Sequence, residues 1–78
     1  MKPRHERLEQ SLHGVAASLS WYRCRAKYFE DKLDDPKHKK DGRRNRWIRE
    51  LNAVREQVDR LEREQRNIQA ALAECRQP

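Results

Sequence analysis

The apolar residues of the chain fall into two series whose spacing alternates between four and three residues. The first series consists of Leu8, Leu12, Val15, Leu19, Tyr22, Ala26, Phe29 and Leu33. The second consists of Trp47, Leu51, Val54, Val58, Leu61, Gln65, Ile68, Leu72 and Cys75. Such a repeat places one apolar seam along a helix that packs against a partner helix. The pattern therefore predicts two coiled-coil helices, with Gln65 as the one polar position.

The two series are interrupted at Pro36, which cannot lie inside a regular helix because it lacks an N–H group and restricts the residue before it. We therefore predict a first helix over about residues 4–33, a turn at 34–42 and a second helix over about 42–76. Together they form a single helical-hairpin domain, residues 1–78.

Asp41 is the residue we expect to cap the second helix, because its carboxylate can accept a free N–H group of the first turn. An alternative start has Asp35 as the cap and Pro36 as the first helical residue. We disfavour that start because it places three cations at the positive end of the helix dipole. These cations are Lys37, Lys39 and Lys40.

A short connection makes the two helices antiparallel neighbours. If Leu33 lies level with Trp47, each member of the first series faces a member of the second, with Leu19 opposite Leu61. The predicted fold is therefore all-α, an antiparallel coiled-coil hairpin of two helices.

A second stripe of residues lies on the first helix, on the side away from the seam. Its members, which we call the second stripe, are Gly14, Ala17, Trp21, Cys24 and Tyr28. The outer face of the second helix is charged instead, and three of its pairs have i,i+4 spacing. They are Glu56–Arg60, Asp59–Arg63 and Glu62–Arg66.

Exposed aromatic residues in a row are uncommon on soluble monomers. We therefore predict that the second stripe is a protein interface, most simply that of a homodimer that forms a four-helix bundle. A different protein partner is the alternative, and so is a row of aromatic rings half covered by Arg and Lys stems.

The charge of the chain is concentrated in residues 37–46, KHKKDGRRNR, which we call the basic segment. It holds six Lys or Arg and one Asp, or +5 of the total charge of +6. Cations oppose the dipole at a helix start, so folding does not favour them there. We predict that they bind nucleic acid through its phosphates, or an acidic protein surface; a merely solvated turn is the alternative. The residues concerned are Lys37, Lys39, Lys40, Arg43, Arg44 and Arg46.

No aromatic residue is interleaved with these cations before Trp47, which belongs to the seam, so base stacking is not expected. The chain also has no recognisable fingerprint of a DNA- or RNA-binding module. Contact with the phosphate backbone is therefore favoured over the reading of bases.

Other chemistry is not indicated. The His and Cys residues do not have metal-ligand spacing, and a slim hairpin offers no cleft for catalysis, so we expect no metal, no cofactor and no enzyme. In the hairpin Cys24 and Cys75 lie roughly 28 Å apart along the helices, too far for a disulfide. The chain has no apolar run of the length of a signal peptide or membrane span, and a soluble, cytoplasmic protein is expected.

The sequence thus favours a small non-enzymatic regulatory protein, a dimeric hairpin whose basic segment contacts nucleic acid or a nucleoprotein complex. One alternative is a phage- or plasmid-type inhibitor or adaptor that docks on a host protein through Trp21 and Tyr28. The other is a purely structural coiled-coil element. The plan is similar to that of small plasmid and phage regulators, one of which binds RNA, but this similarity is one of architecture alone.

Overall fold

Two long helices, connected by a 3-10 turn, make up the part of the protein that the structure describes. The computed structural model describes residues 4–76, in which α1 spans Arg4–Asp34, the 3-10 turn spans Pro36–His38 and α2 spans Arg44–Arg76. The helices pack side by side as a hairpin. The predicted all-α hairpin is confirmed, and the predicted helix bounds agree with the structure to within two residues.

The chain leaves α1 at the residue before proline, as expected. The N–H of Asp35 donates to the carbonyl of Asp31 (3.1 Å), and Asp35 then adopts extended backbone angles. Its carboxylate accepts the N–H of Lys37 (2.9 Å), so Asp35 caps a turn whose first residue is Pro36. The arrangement that we disfavoured as the start of the second helix, with Asp35 as the cap and Pro36 as the first residue, is therefore present, but it begins only the 3-10 turn.

The second helix begins at Arg44, two residues later than predicted. The carbonyl of Asp41 accepts the N–H of Arg44 (3.2 Å), which is an i→i+3 bond of a turn. The first i→i+4 bond runs from the N–H of Trp47 to the carbonyl of Arg43 (3.1 Å). The Asp41 carboxylate still accepts a backbone N–H group, but this group belongs to Arg43, the residue just before the helix.

The buried side chains come from the two predicted apolar series. They are Val15, Leu19, Phe29, Trp47, Leu51, Val54, Leu61, Ile68 and Leu72. Leu19 and Leu61 lie in the same packed cluster, as the predicted level pairing requires, and Tyr22 and Val58 pack against both clusters of the seam. Gln65 is half-buried, so the polar position lies at the border of the seam.

Ion pairs along the borders of the seam connect the two helices. They are Arg23–Glu62 (3.2 Å), Glu30–Arg55 (3.1 Å) and Arg25–Glu50 (3.7 Å). Their side chains are largely solvated, so each contributes at most about 1 kcal/mol. The three pairs with i,i+4 spacing on the outer face of α2 do not come within ion-pair distance: Glu62, for example, reaches across to Arg23 rather than along α2 to Arg66.

The hairpin is a rod with extents of 59 × 17 × 15 Å. Each helix therefore has one buried side, and the remainder of its surface is open to solvent or to a partner. In the part of the chain that the structure describes, neither helix is long and apolar enough to cross a membrane.

Leu19 is the most deeply buried side chain, with 1% of its surface exposed. We expect Leu19→Ala to lower the free energy of unfolding by about 2–5 kcal/mol, because it leaves a cavity in the seam. Ile48→Ala is the control: Ile48 is 41% exposed and its substitution should cost less than about 1 kcal/mol. Urea denaturation measures both values, and equal losses would contradict the position of the seam.

Candidate functional site

The carboxylates of Asp35 and Asp41, on either side of the 3-10 turn, point back into the turn. Asp35 accepts the Lys37 N–H and lies 3.9 Å from the ring of His38, and Asp41 lies 3.4 Å from the same ring. The His38 ring packs edge-on against Trp47, whose side chain is buried (centroids 5.1 Å apart). The two acidic groups thus hold the turn together around His38.

Asp41 also holds Arg43 through both of its oxygens. One oxygen accepts the backbone N–H and Nε of Arg43 (2.9 and 3.1 Å), and the other accepts Nη2 (2.9 Å). These bonds lower the pKa of the Asp41 carboxyl far below its ordinary value of 3.8, with the side-chain bonds as the largest cause. The same bonds raise the pKa of the Arg43 guanidinium.

Arg44 has a structural role that its sequence position did not reveal. Its Nη1 donates to the carbonyl of Leu33 (2.9 Å) at the end of α1 and makes a longer contact with the carbonyl of His38 (3.4 Å). Carbonyl groups at a helix end lack partners within the helix. Arg44 therefore connects the start of α2 to the end of α1, and its guanidinium faces the turn rather than a ligand.

The other predicted binding residues point outward at one end of the rod. The side chains of Arg43 and Arg46 are 66% and 77% exposed, and three lysines are exposed beside them. Arg46 lies 3.8 Å from Glu50. In the described range no carboxylate lies within ion-pair distance of the lysine ammonium groups, which belong to Lys37, Lys39 and Lys40.

The whole second stripe is exposed along α1, with its members Gly14, Ala17, Trp21, Cys24 and Tyr28. Trp21 is 58% and Tyr28 55% exposed, although both are large aromatic side chains. Gly14 has open space around it, since a Cβ atom added there would meet nothing within 4 Å. Cys24, like Cys75, is a free exposed thiol.

An open groove of about 670 Å³ joins the second stripe to the basic segment. It is lined by Trp21, Cys24, Arg25, Tyr28, Phe29, Lys32, Arg43, Arg46, Trp47 and Glu50. Arg25 lies over the Trp21 ring at 5.5 Å from its centroid, and Lys32 over the Tyr28 ring at 5.0 Å. Each cation follows its aromatic residue by four positions, a helical spacing that could have identified both cations from the sequence.

Within residues 4–76, no group of His, Cys, Asp or Glu side chains is arranged to hold a metal ion. The comparison with known proteins adds no relative: the chain matches no protein-family model, no curated protein and no solved structure. The function must therefore be argued from the geometry of the hairpin.

The contrast between two neighbouring arginines is testable. Arg44→Ala removes the donor to the Leu33 carbonyl, and we expect it to lower the free energy of unfolding by about 1–2 kcal/mol. Arg46→Ala removes an exposed side chain and should change this free energy by less than about 0.5 kcal/mol. Thermal unfolding followed by circular dichroism measures both changes. A larger loss for Arg46 would contradict the role assigned to Arg44.

The lowered pKa of Asp41 predicts a pH dependence of stability. Because the folded-state pKa lies below the unfolded value, the stabilisation is complete well above pH 3.8 and is lost as the pH falls through the folded pKa. Asp41→Asn keeps an oxygen for the Arg43 N–H but has no charge. The difference in melting temperature between wild type and this variant should be constant near pH 5 and shrink towards about pH 2. A difference that stays constant over this range would contradict the proposed contacts.

Proposed function

We propose that the protein binds nucleic acid through the phosphate backbone, using the exposed cations of the basic segment. The observation that supports this best is the orientation of the charged side chains: the lysines are exposed, whereas Asp35 and Asp41 point into the turn. Asp35 and Asp41 are engaged by the backbone and side chains of the turn, and neither lies within ion-pair distance of a lysine ammonium group. A polyanion can supply the negative charge that pairs with the lysine ammonium groups.

The shape of the hairpin favours contact with phosphates over the reading of bases. Its cross-section is 17 × 15 Å, whereas the major groove of B-DNA is about 12 Å wide and admits one helix. The two helices side by side are therefore too broad to enter the groove together, but the lysines of the turn can contact phosphates at the edges of the groove. Such contacts position a protein without specifying sequence.

The same proposal includes a dimer formed through the second stripe. Its support is the exposure of Trp21 and Tyr28, together with the small residues beside them, which allow close approach of another helix. A dimer carries two basic segments, so its affinity for an extended polyanion exceeds that of one copy. The protein then acts by binding rather than by catalysis.

Replacement of three lysines tests the nucleic-acid proposal. In the variant Lys37→Gln/Lys39→Gln/Lys40→Gln we expect the slope of log K against log salt to decrease in magnitude by about 2–3, because up to three phosphate contacts are lost. Fluorescence anisotropy with labelled duplex DNA and single-stranded RNA, at several salt concentrations, measures the slope.

The matched control removes the same charge from the outer face of α2. Its substitutions are Arg60→Gln, Arg63→Gln and Arg66→Gln, all at exposed positions far from the turn. This control should bind nearly as well as wild type. If both variants lose affinity equally, net charge rather than the basic segment is responsible. Binding of the wild type to neither nucleic acid would refute the proposed function.

A further inference from the structure

We infer that two copies of the chain associate with their α1 helices antiparallel, in one defined register. The association belongs to the proposed function, on which this inference rests; orientation and register follow from the sizes and charges along α1. The surface concerned continues the second stripe at both ends, at the same helical spacing. Its added members are Arg7, Gln10 and Asp31, and we call the whole set the extended stripe.

All members of the extended stripe are exposed. In the described part of the chain, neither the Arg7 nor the Asp31 side chain takes part in an ion pair. The hairpin therefore leaves a row with a cation at one end, small residues next, aromatic residues after them and an anion at the other end. When a second copy of this row lies antiparallel to the first, the cation of each copy faces the anion of the other, and the aromatic residues face small or polar ones.

The complementarity becomes specific when Trp21 is placed level with Ala17 of the second copy. Every large side chain then meets a small or polar one, and the charged ends meet opposite charges. The level pairs, each formed twice, are Trp21–Ala17, Cys24–Gly14, Tyr28–Gln10 and Asp31–Arg7. The space beside Gly14 admits a neighbouring side chain, and the Gln10 amide oxygen can accept a hydrogen bond from the Tyr28 hydroxyl.

A parallel arrangement lacks each of these features. It puts Trp21 on Trp21 and leaves Gly14 facing Gly14, so the contact is crowded at one level and empty at another. It also sets Arg7 against Arg7 and brings two basic segments, each of +5, to the same end. Like charges placed together oppose association, whereas the antiparallel arrangement separates them.

The antiparallel arrangement determines where the two basic segments lie. The two-fold axis falls near residue 19, and His38 lies roughly 28 Å from it along the helix axis. The two α1 helices lie at the centre, and the charged outer faces of α2 lie outside. The basic segments are then roughly 55–60 Å apart at opposite ends, so one dimer contacts two separate phosphate groups or joins two nucleic-acid segments.

Cysteine crosslinking tests the register. In a Cys75→Ser background Cys24 is the single thiol. Two Cys24 residues of an antiparallel dimer are about 15 Å apart along the axis, beyond the reach of a disulfide. Adding Gly14→Cys places a new thiol level with Cys24 of the second copy. Within one chain positions 14 and 24 are equally distant, so they cannot form a bridge.

The expected result of mild oxidation is a covalent dimer for Gly14→Cys/Cys75→Ser and none for Cys75→Ser alone. Mass spectrometry of the digest should identify a peptide containing position 14 linked to one containing position 24. A Cys24–Cys24 dimer in the background variant overturns the antiparallel arrangement. Failure of both variants to crosslink, with a monomeric mass in sedimentation at all concentrations, overturns the association itself.

A charge exchange provides a second measurement that does not require a new thiol. Arg7→Asp and Asp31→Arg should each weaken the dimer by about tenfold, because like charges become level at both ends. The double variant should restore the dimer Kd to within about threefold of wild type. Trp21→Ala should raise this Kd by about 30-fold or more. No restoration in the double variant overturns the register.

The outcomes separate the dimer from the nucleic-acid proposal. The lysine variant Lys37→Gln/Lys39→Gln/Lys40→Gln should still crosslink in the background that carries Gly14→Cys and Cys75→Ser, because its changes lie outside the extended stripe. A crosslinked wild-type-like dimer that binds no nucleic acid overturns the proposed function alone. Salt-dependent binding by a monomer that never crosslinks overturns the antiparallel dimer alone.

Discussion

The burial of one apolar seam per helix is the constraint on which the rest of the structure depends. Two helices of about thirty residues cannot enclose a core on several sides, so each side chain is either in the seam, at its border or outside. Leu19 and Leu51 lie in the seam, and the ion pair of Arg23 with Glu62 lies at its border. Because neither outer face packs within the hairpin, the two faces are free to differ. The outer face of α2 is charged, whereas that of α1 carries Trp21 and Tyr28.

The turn makes the distribution of charge along the rod asymmetric, because most of the net positive charge lies at this end. It must reverse the chain within nine residues, and it does so with two aspartates that accept backbone N–H groups and an arginine that donates to carbonyls. Each of these bonds keeps a charged group close to the backbone. The three lysine side chains of the turn make no such bonds among the described residues and are exposed to solvent. The exposed positive charge at this end of the rod therefore comes largely from side chains that the hydrogen bonds of the turn do not engage.

The period of the apolar residues was enough to predict both helices, their pairing and the exposure of Trp21, because a seam repeats over many residues and each repeat adds evidence. The turn was harder. Asp35 and Asp41 can each cap a helix, and only the geometry shows that one caps a 3-10 turn and the other a bend before α2. Arg44 was predicted to bind a ligand because charge alone does not reveal that a guanidinium reaches the carbonyl of Leu33. Such contacts depend on how the end of α1 and the start of α2, which are separated in sequence, meet in the folded hairpin.

The arginines and lysines near the turn differ in how many of their N–H donors remain free to contact a ligand. A guanidinium is a planar donor with several N–H groups and forms bonds of defined direction, and Arg43 and Arg44 use theirs within the turn. An ammonium group is a point charge on a flexible stem, and its contacts with phosphate have little directional preference. The exposed lysine ammonium groups of the turn are therefore suited to binding phosphate charge without recognising base sequence. In the proposed dimer, a preference for one nucleic acid over another would come from the distance between the two positive ends, which the proposed association of α1 helices sets.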